Sequence, residues 1–258
     1  MGMETGPQAM IFDLDGVITF TASLHFAAWK ELFDQVLRSR ALRFQEPFRE
    51  FTLDDYLTYV DGKPRYDGVA SFLAARGITL PYGSPSDPSS AETICGIGNR
   101  KDEMFTKKVH KLGVEVDQDA VRFVRELRNF GVLVGLASSS RNAVPIVDRA
   151  GIRNLFNSIV DGVVSDRLHL RGKPAPDIFL QCLAQLTAHP DPGQSGIVED
   201  AIAGVQAGQR GGFGLVLGVD RRNSGTLAEN GANWVIHDFH NIAADQVSSF
   251  FQNRARAA

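Results

Sequence analysis

The sequence predicts an α/β chain: a mainly parallel sheet covered by helices on both faces, with a mostly helical insertion after its first strand. Three observations predict it. Short apolar runs recur along the chain, and several end in polar or acidic residues, as buried strands do when they deliver side chains into loops. Beyond about residue 111, stretches with helical spacing separate these runs, and strands alternating with helices make a parallel sheet. Between Thr21 and His110, helical patterns follow one another with no convincing strand.

In chain order, Met10-Ile11-Phe12 leads into Asp13-Leu14-Asp15-Gly16 and predicts the first strand. Within the insertion, Leu24, Ala28, Leu32 and Val36 mark an amphipathic helix. Further helices are expected around residues 52–59 and 66–76, followed by a Pro/Ser-rich surface loop over 82–90. A helix over 119–130 carries Val121, Val124 and Leu127 on one face. The second strand, 132–137, runs into Ser138-Ser139-Ser140 and a helix over 142–150. Ser158-Ile159-Val160 leads to Asp161, a helix is expected over 177–186, and Gly196-Ile197-Val198 leads to Glu199-Asp200. A short helix over 201–209, rich in small residues, precedes the last two strands, 213–217 and 234–236. The predicted division is a catalytic core of residues 1–20 and 111–258 and a helical cap of 21–110.

The chain's 258 residues suit a core with a smaller second domain. A net charge of -3 argues against a nucleic-acid surface, which needs a basic stripe. It leaves small anionic substrates open, because a few local cations suffice for those. Cys95 and Cys182 lack CxxC spacing and neighbouring histidines, so zinc is not indicated. Two reduced thiols are expected, with a single disulfide as the alternative. Met1 to Gln8 lacks the apolar core of a signal peptide, and no stretch approaches the roughly 18 apolar residues of a membrane span. The expectation is a soluble, cytoplasmic protein without nucleic-acid or membrane partners.

The chemistry is concentrated where the apolar runs end. A carboxylate there, Asp13, can attack phosphorus and form an acyl-phosphate. Asp15 projects the same way if the backbone stays extended. It can then protonate the leaving oxygen and deprotonate the attacking one, while Gly16 lets the loop bend back. By itself, Asp-x-Asp is equally the composition of a solvated turn. The Ser138 hydroxyl with nearby amides suits a phosphoryl oxygen, and capping by Ser139, Ser140 or Asn142 is the competing role. Lys173, in a loop stiffened by Pro174 and Pro176, can neutralise a transferring phosphoryl group. Glu199-Asp200 offers hard oxygens suited to Mg²⁺, or an acidic start to the next helix. Four strand ends would thus supply two aspartates, a serine, a lysine and an acidic pair, the parts a phosphoryl-transfer site requires.

These residues resemble the haloacid dehalogenase superfamily. Its pattern hhhhDxDG, hhhh-Ser/Thr, Lys and acidic pair stands here as MIFDLDG, VGLASSS, GKPAPD and GIVEDA. The resemblance implies a Rossmann-like core of that type and a helical cap after the first strand. It implies Mg²⁺ held by Asp13, the backbone carbonyl of Asp15 and Asp200, with Glu199 helping directly or through water. It makes Asp13 the nucleophile and Asp15 the general acid/base, which points to phosphoryl transfer and away from dehalogenation.

Residues 12–30 are similar to the first motif and first cap helix of the β-phosphoglucomutase subfamily. That implies Thr21 at a hinge, His25 near the substrate phosphate and Trp29 on the cap side. The stretch 60–65 looks like the cap loop of that subfamily, placing Gly62 and a phosphate-gripping Arg65. Asn99 to Asp102 places Lys101 as a sugar-phosphate lysine. ASSSRN resembles ASASKN and places Ser138, Ser140, Arg141 and Asn142. The chain departs from the pattern at Phe20, where an acidic residue is usual, and in a longer cap around 77–93. The expected activity is interconversion of β-glucose 1-phosphate and glucose 6-phosphate through an aspartyl-phosphate and a sugar bisphosphate. The alternatives are an Mg²⁺-dependent sugar-phosphate phosphatase and a non-catalytic sugar-phosphate-binding module. The expected partner is a small phosphorylated sugar, and a monomer is compatible with the sequence.

Overall fold

The computed structural model describes residues 6–257; the expectation for Met1 to Thr5 falls outside them. The chain divides into two compact units, Met1–Phe20 with Val116–Ala258, and Thr21–Glu115. No helix among the described residues is long and apolar enough to cross a membrane.

Among the described residues, the first unit is built on six strands: β1 (Ala9–Phe12), β2 (Leu133–Ala137), β3 (Ser158–Val160), β4 (Ser195–Glu199), β5 (Leu215–Val219) and β6 (Trp234–Ile236). They form one sheet in the order β3-β2-β1-β4-β5-β6, and every pairing is parallel. β1 is central, and all four of its residues are fully buried. That explains its unbroken apolar run: a strand covered on both faces gains from an apolar side chain at every position.

Register then determines what the strand ends deliver. Phe12 is level with Leu136 of β2 and with Val198 of β4. The residues just beyond, Asp13, Ala137-Ser138 and Glu199-Asp200, therefore emerge at one edge of the sheet, the edge where open parallel sheets bind ligands. The Asp13 amide extends the ladder by donating to the Val198 carbonyl (2.9 Å), and the Ser138 amide donates to Val160 (3.0 Å).

The second unit contains helices α1 (Ala22–Phe44), α2 (Leu53–Tyr59), α3 (Arg65–Ala75) and α4 (Ile94–Leu112) and no strand. Trp29, Leu32, Phe33 and Leu37 recur at helical spacing along α1 and pack with Phe51, Tyr56, Val69, Phe72 and Ile97 in this unit's own core. Phe33 lies 4.3 Å from Phe72 between ring centroids, and Phe51 meets Phe72 edge-on at 4.8 Å. α4 continues to Leu112, past the predicted boundary at His110.

The first unit's helices are α5 (Gln118–Asn129), α6 (Ala143–Arg149), α7 (Gly162–Arg167), α8 (Asp177–Ala184), α9 (Ile202–Arg210), α10 (Thr226–Glu229) and α11 (Ala244–Ala257). α8 and α9 supply Phe179, Cys182 and Val205 to a core cluster with Ile11, Val160, Ile197 and Val216. Each unit holds one buried, free cysteine, Cys95 and Cys182, which removes the disulfide alternative.

Candidate active site

Asp13 follows directly on β1, and its side chain is nine-tenths buried. One carboxylate oxygen accepts from Lys173 Nζ at 2.7 Å, and the other accepts from the Asp15 amide at 2.9 Å. The loop after it closes on itself. Gly16 N–H donates to Thr19 at 2.7 Å, and the Thr19 amide and hydroxyl both donate to Leu14, at 3.0 and 3.1 Å. Gly16 has φ +90°, and a Cβ there would lie 1.8 Å from an Asp200 carboxylate oxygen. Glycine is needed for both reasons, and the close approach places Asp200 against the Asp13–Gly16 loop.

Ser138 is 1% exposed and donates its hydroxyl to Asp15 Oδ2 at 3.4 Å. Its oxygen also accepts from the Ser140 amide at 3.1 Å, and the Ser140 hydroxyl accepts from the Asn142 amide at 3.2 Å. The Ser138 hydroxyl faces Asp15, and Asn142, at the start of α6, makes no side-chain cap bond.

Lys173 does not come from a strand end, contrary to the sequence expectation. Asp161 closes β3 and caps α7, and Lys173 arrives on the loop between α7 and α8. That loop is braced by Arg171, whose guanidinium and amide donate to Asp177 at 2.9–3.1 Å. The ammonium is buried between Asp13 and Glu199 Oε1, at 2.7 and 2.5 Å. It lies 4.8 Å over the Phe179 ring.

Glu199, expected to help hold a metal directly or through water, is fully buried. Oε1 receives Lys173, and Oε2 accepts from the amides of Asp200 and Ala201, both at 3.0 Å. It is the buried counter-ion that holds Lys173 in place. Gly204 of α9 makes this possible, since a Cβ there would meet Glu199 Oε1 at 1.8 Å.

The electrostatics follow. Burial pushes the Asp13 carboxyl well above the usual carboxylate range, with Glu199 and Asp15 adding to the rise and Lys173 opposing it. Lys173 is raised despite its burial, because the two carboxylates favour its charged form. Asp13 and Asp200 bring carboxylates to the Asp13–Gly16 loop, and with the Asp15 carbonyl they are hard oxygens of the kind Mg²⁺ takes. Among the described residues, no three acidic, histidine or cysteine side chains are grouped so as to hold a metal ion by themselves. A cation set against Asp13 would also favour its ionised form.

Of the other predicted residues in this unit, Arg141 forms an ion pair with Asp166 at the surface. In the helical unit, three predicted residues come together. Lys101 Nζ is 2.6 Å from His25 Nδ1 and lies 5.1 Å over the Trp29 ring. The cluster is completed by Phe105, which the sequence reading missed. It stacks on His25 at 3.9 Å and lies 4.5 Å below the Lys101 ammonium. Its signal was available as the i,i+4 neighbour of Lys101 on α4. Arg65 binds Asp102 at 2.8 Å, and Gly62 takes φ +72° in the turn before α3. Thr21 is fully buried, and its carbonyl accepts from the His25 amide in the first turn of α1.

A sequence profile of the haloacid dehalogenase-like hydrolases matches residues 7–212. The chain belongs to the haloacid dehalogenase-like hydrolase family. Two curated relatives are the β-phosphoglucomutases of Mycobacterium bovis and Bacillus subtilis. The first is 42% identical over 92% of both chains, and the second is 34% identical over 78% of both. A solved structure of β-phosphoglucomutase from Clostridium difficile superposes with a TM-score of 0.77 at 21% identity, over 98% of this chain and 100% of that one. As a haloacid dehalogenase-like protein with these relatives, the chain falls among the family's phosphomutases and phosphatases.

Proposed function

We propose that the protein is a phosphomutase that interconverts β-glucose 1-phosphate and glucose 6-phosphate through an aspartyl-phosphate. One observation carries this: Asp13 is held at the end of the central strand between the Lys173 ammonium and the Asp15 amide, with the Asp15 and Ser138 side chains beside it. A carboxylate fixed in this way is an oriented nucleophile.

In the proposed cycle, an Asp13 oxygen forms a bond to phosphorus as the bond to the sugar oxygen breaks. Asp15 gives that oxygen its proton and later removes the proton from the hydroxyl that attacks the aspartyl-phosphate. Lys173, steadied by Glu199, and the Ser138 hydroxyl balance charge on the phosphoryl oxygens. Asp13, the Asp15 carbonyl and Asp200 would hold Mg²⁺. When bound, the ion supplies electrostatic stabilisation of the transferring group. The helical unit, through Arg65 and the Lys101–His25–Trp29 cluster, recognises the part of the substrate that is not reacting. The 42% identity to a β-phosphoglucomutase over nearly the whole chain supports the mutase over the phosphatase.

The test is turnover of β-glucose 1-phosphate with Mg²⁺ and a trace of the 1,6-bisphosphate. Glucose 6-phosphate without free phosphate is expected. Stoichiometric free phosphate would make the protein a phosphatase, and binding without turnover would make it a binding module. Asp13→Asn should abolish both turnover and the acid-stable, hydroxylamine-sensitive phosphoenzyme; a fully active variant removes Asp13 as nucleophile.

A further inference from the structure

Arg221 reaches the loop that follows Asp15. Arg221 follows β5, in a turn that Asp220 holds by accepting from Ser224 Oγ at 3.1 and 3.2 Å and from the Gly225 amide at 2.8 Å. Its Nε donates to the Gly16 carbonyl at 3.0 Å. One terminal nitrogen donates to the Val17 carbonyl at 3.4 Å and to Asp117 Oδ2 at 2.6 Å. The guanidinium lies 4.7 Å over the Phe20 ring, so the residue that departs from the subfamily pattern forms one wall of this clamp. Asp117 is itself fixed. Its other oxygen caps α5 through the amides of Asp119 and Ala120, both at 3.0 Å, and its amide donates to Ile18 at 2.9 Å.

We propose that Arg221 is a positioning residue for the general acid/base. By gripping the two carbonyls that follow Asp15 and tying them to Asp117, it sets the direction in which the Asp15 carboxyl points. The guanidinium fork can hold two carbonyls and a carboxylate at once, which a lysine cannot do. Its Nε and one terminal nitrogen are held by these acceptors, so it acts through the loop. The inference rests on the proposed phosphoryl-transfer reading, in which Asp15 moves the proton.

The test uses leaving groups that differ in their need for that proton. A sugar oxygen must be protonated as it departs, whereas p-nitrophenolate leaves readily without one. Arg221→Met, in the full chain with Mg²⁺, should lower kcat on β-glucose 1-phosphate by about 10- to 100-fold while the pre-steady-state rate of p-nitrophenolate release from p-nitrophenyl phosphate, which precedes any proton transfer by Asp15, changes by less than about threefold. KM for both should stay near the wild-type value. Arg221→Lys should recover only part of the loss. Asp117→Asn keeps the helix cap, since Asn caps as well as Asp, and removes the ion pair; it should show the same split to a smaller degree. Equal losses on the two substrates, or no loss on either, would overturn the proposal. If Arg221→Met melts below the assay temperature, the presence or absence of the split in Asp117→Asn decides. A wild-type protein that transfers no phosphoryl group, or an active Asp13→Asn variant, would instead sink the underlying reading.

Discussion

Lys173 stands with 1% of its side chain exposed between two carboxylates, one of them the proposed nucleophile. Removing one member of such a group leaves buried charge uncompensated. Lys173→Met should therefore destabilise the fold by roughly 3–5 kcal/mol in urea titrations as well as abolish turnover; a loss below about 1 kcal/mol would show that the buried charges are not coupled. At this scale the sequence was informative about placement at the end of an apolar run, as for Asp13, Asp15 and Ser138, which stand at or just beyond strand ends. It was uninformative where the role depends on which neighbour a side chain meets. Glu199 and Asp200 are adjacent acids, and only the fold reveals that the first is the final, fully buried residue of β4 and pairs with Lys173. Arg221 was invisible for a related reason: its acceptors include two main-chain carbonyls, which leave no trace in side-chain identities.

At the scale of single elements, α2 begins with a reciprocal cap. The Thr52 hydroxyl accepts from the Asp55 amide, and the Asp55 carboxylate accepts from the Thr52 amide at 2.9 Å and pairs with Arg76 at 2.6 Å. Burial would raise the Asp55 carboxyl, but the Thr52 bonds and Arg76 outweigh it and leave it depressed. A depressed carboxyl contributes stability that is present above its unfolded value, about 3.9, and lost as pH falls through its lower folded value. The wild type should therefore lose more stability than Asp55→Asn as acid is added across that window. Parallel stability–pH curves for the two proteins would refute this. α4 was recognised only as a segment around Lys101, because Gly96 and Gly98 near its start weaken the helical signal. Those glycines are dictated by packing: a Cβ would lie 2.5 Å from the Ala91 carbonyl oxygen at Gly96 and 2.7 Å from the Tyr66 ring at Gly98. Gly96→Ala should lower stability in denaturant although alanine favours helix by about 1 kcal/mol. A stabilised variant would mean that the backbone yields at that point.

For the whole molecule, the alternation of apolar runs with helical stretches was enough for the sheet, because parallel strands buried on both faces carry an unambiguous pattern. Strand order and the level alignment of Phe12, Leu136 and Val198 arise from pairing between distant segments and have no local signature. The two units have separate cores, and each contains one of the two tryptophans, Trp29 and Trp234. Phe33→Ala should cost the helical unit about 3–5 kcal/mol. In single-tryptophan versions, the Trp29 fluorescence transition should then move to lower urea by more than the Trp234 transition. Equal shifts would show that the two cores unfold as one.

Thr19 forms β-bridges with Asp15 and with Val116, and Asp117 N–H reaches the Ile18 carbonyl, so the outgoing and returning chains run side by side. The ninety-odd residues between are therefore a detour whose two ends are already stapled together. A short turn grafted from Phe20 to Val116 would close the gap with almost no added loop entropy, and a foreign insert could be exchanged there without redrawing the sheet.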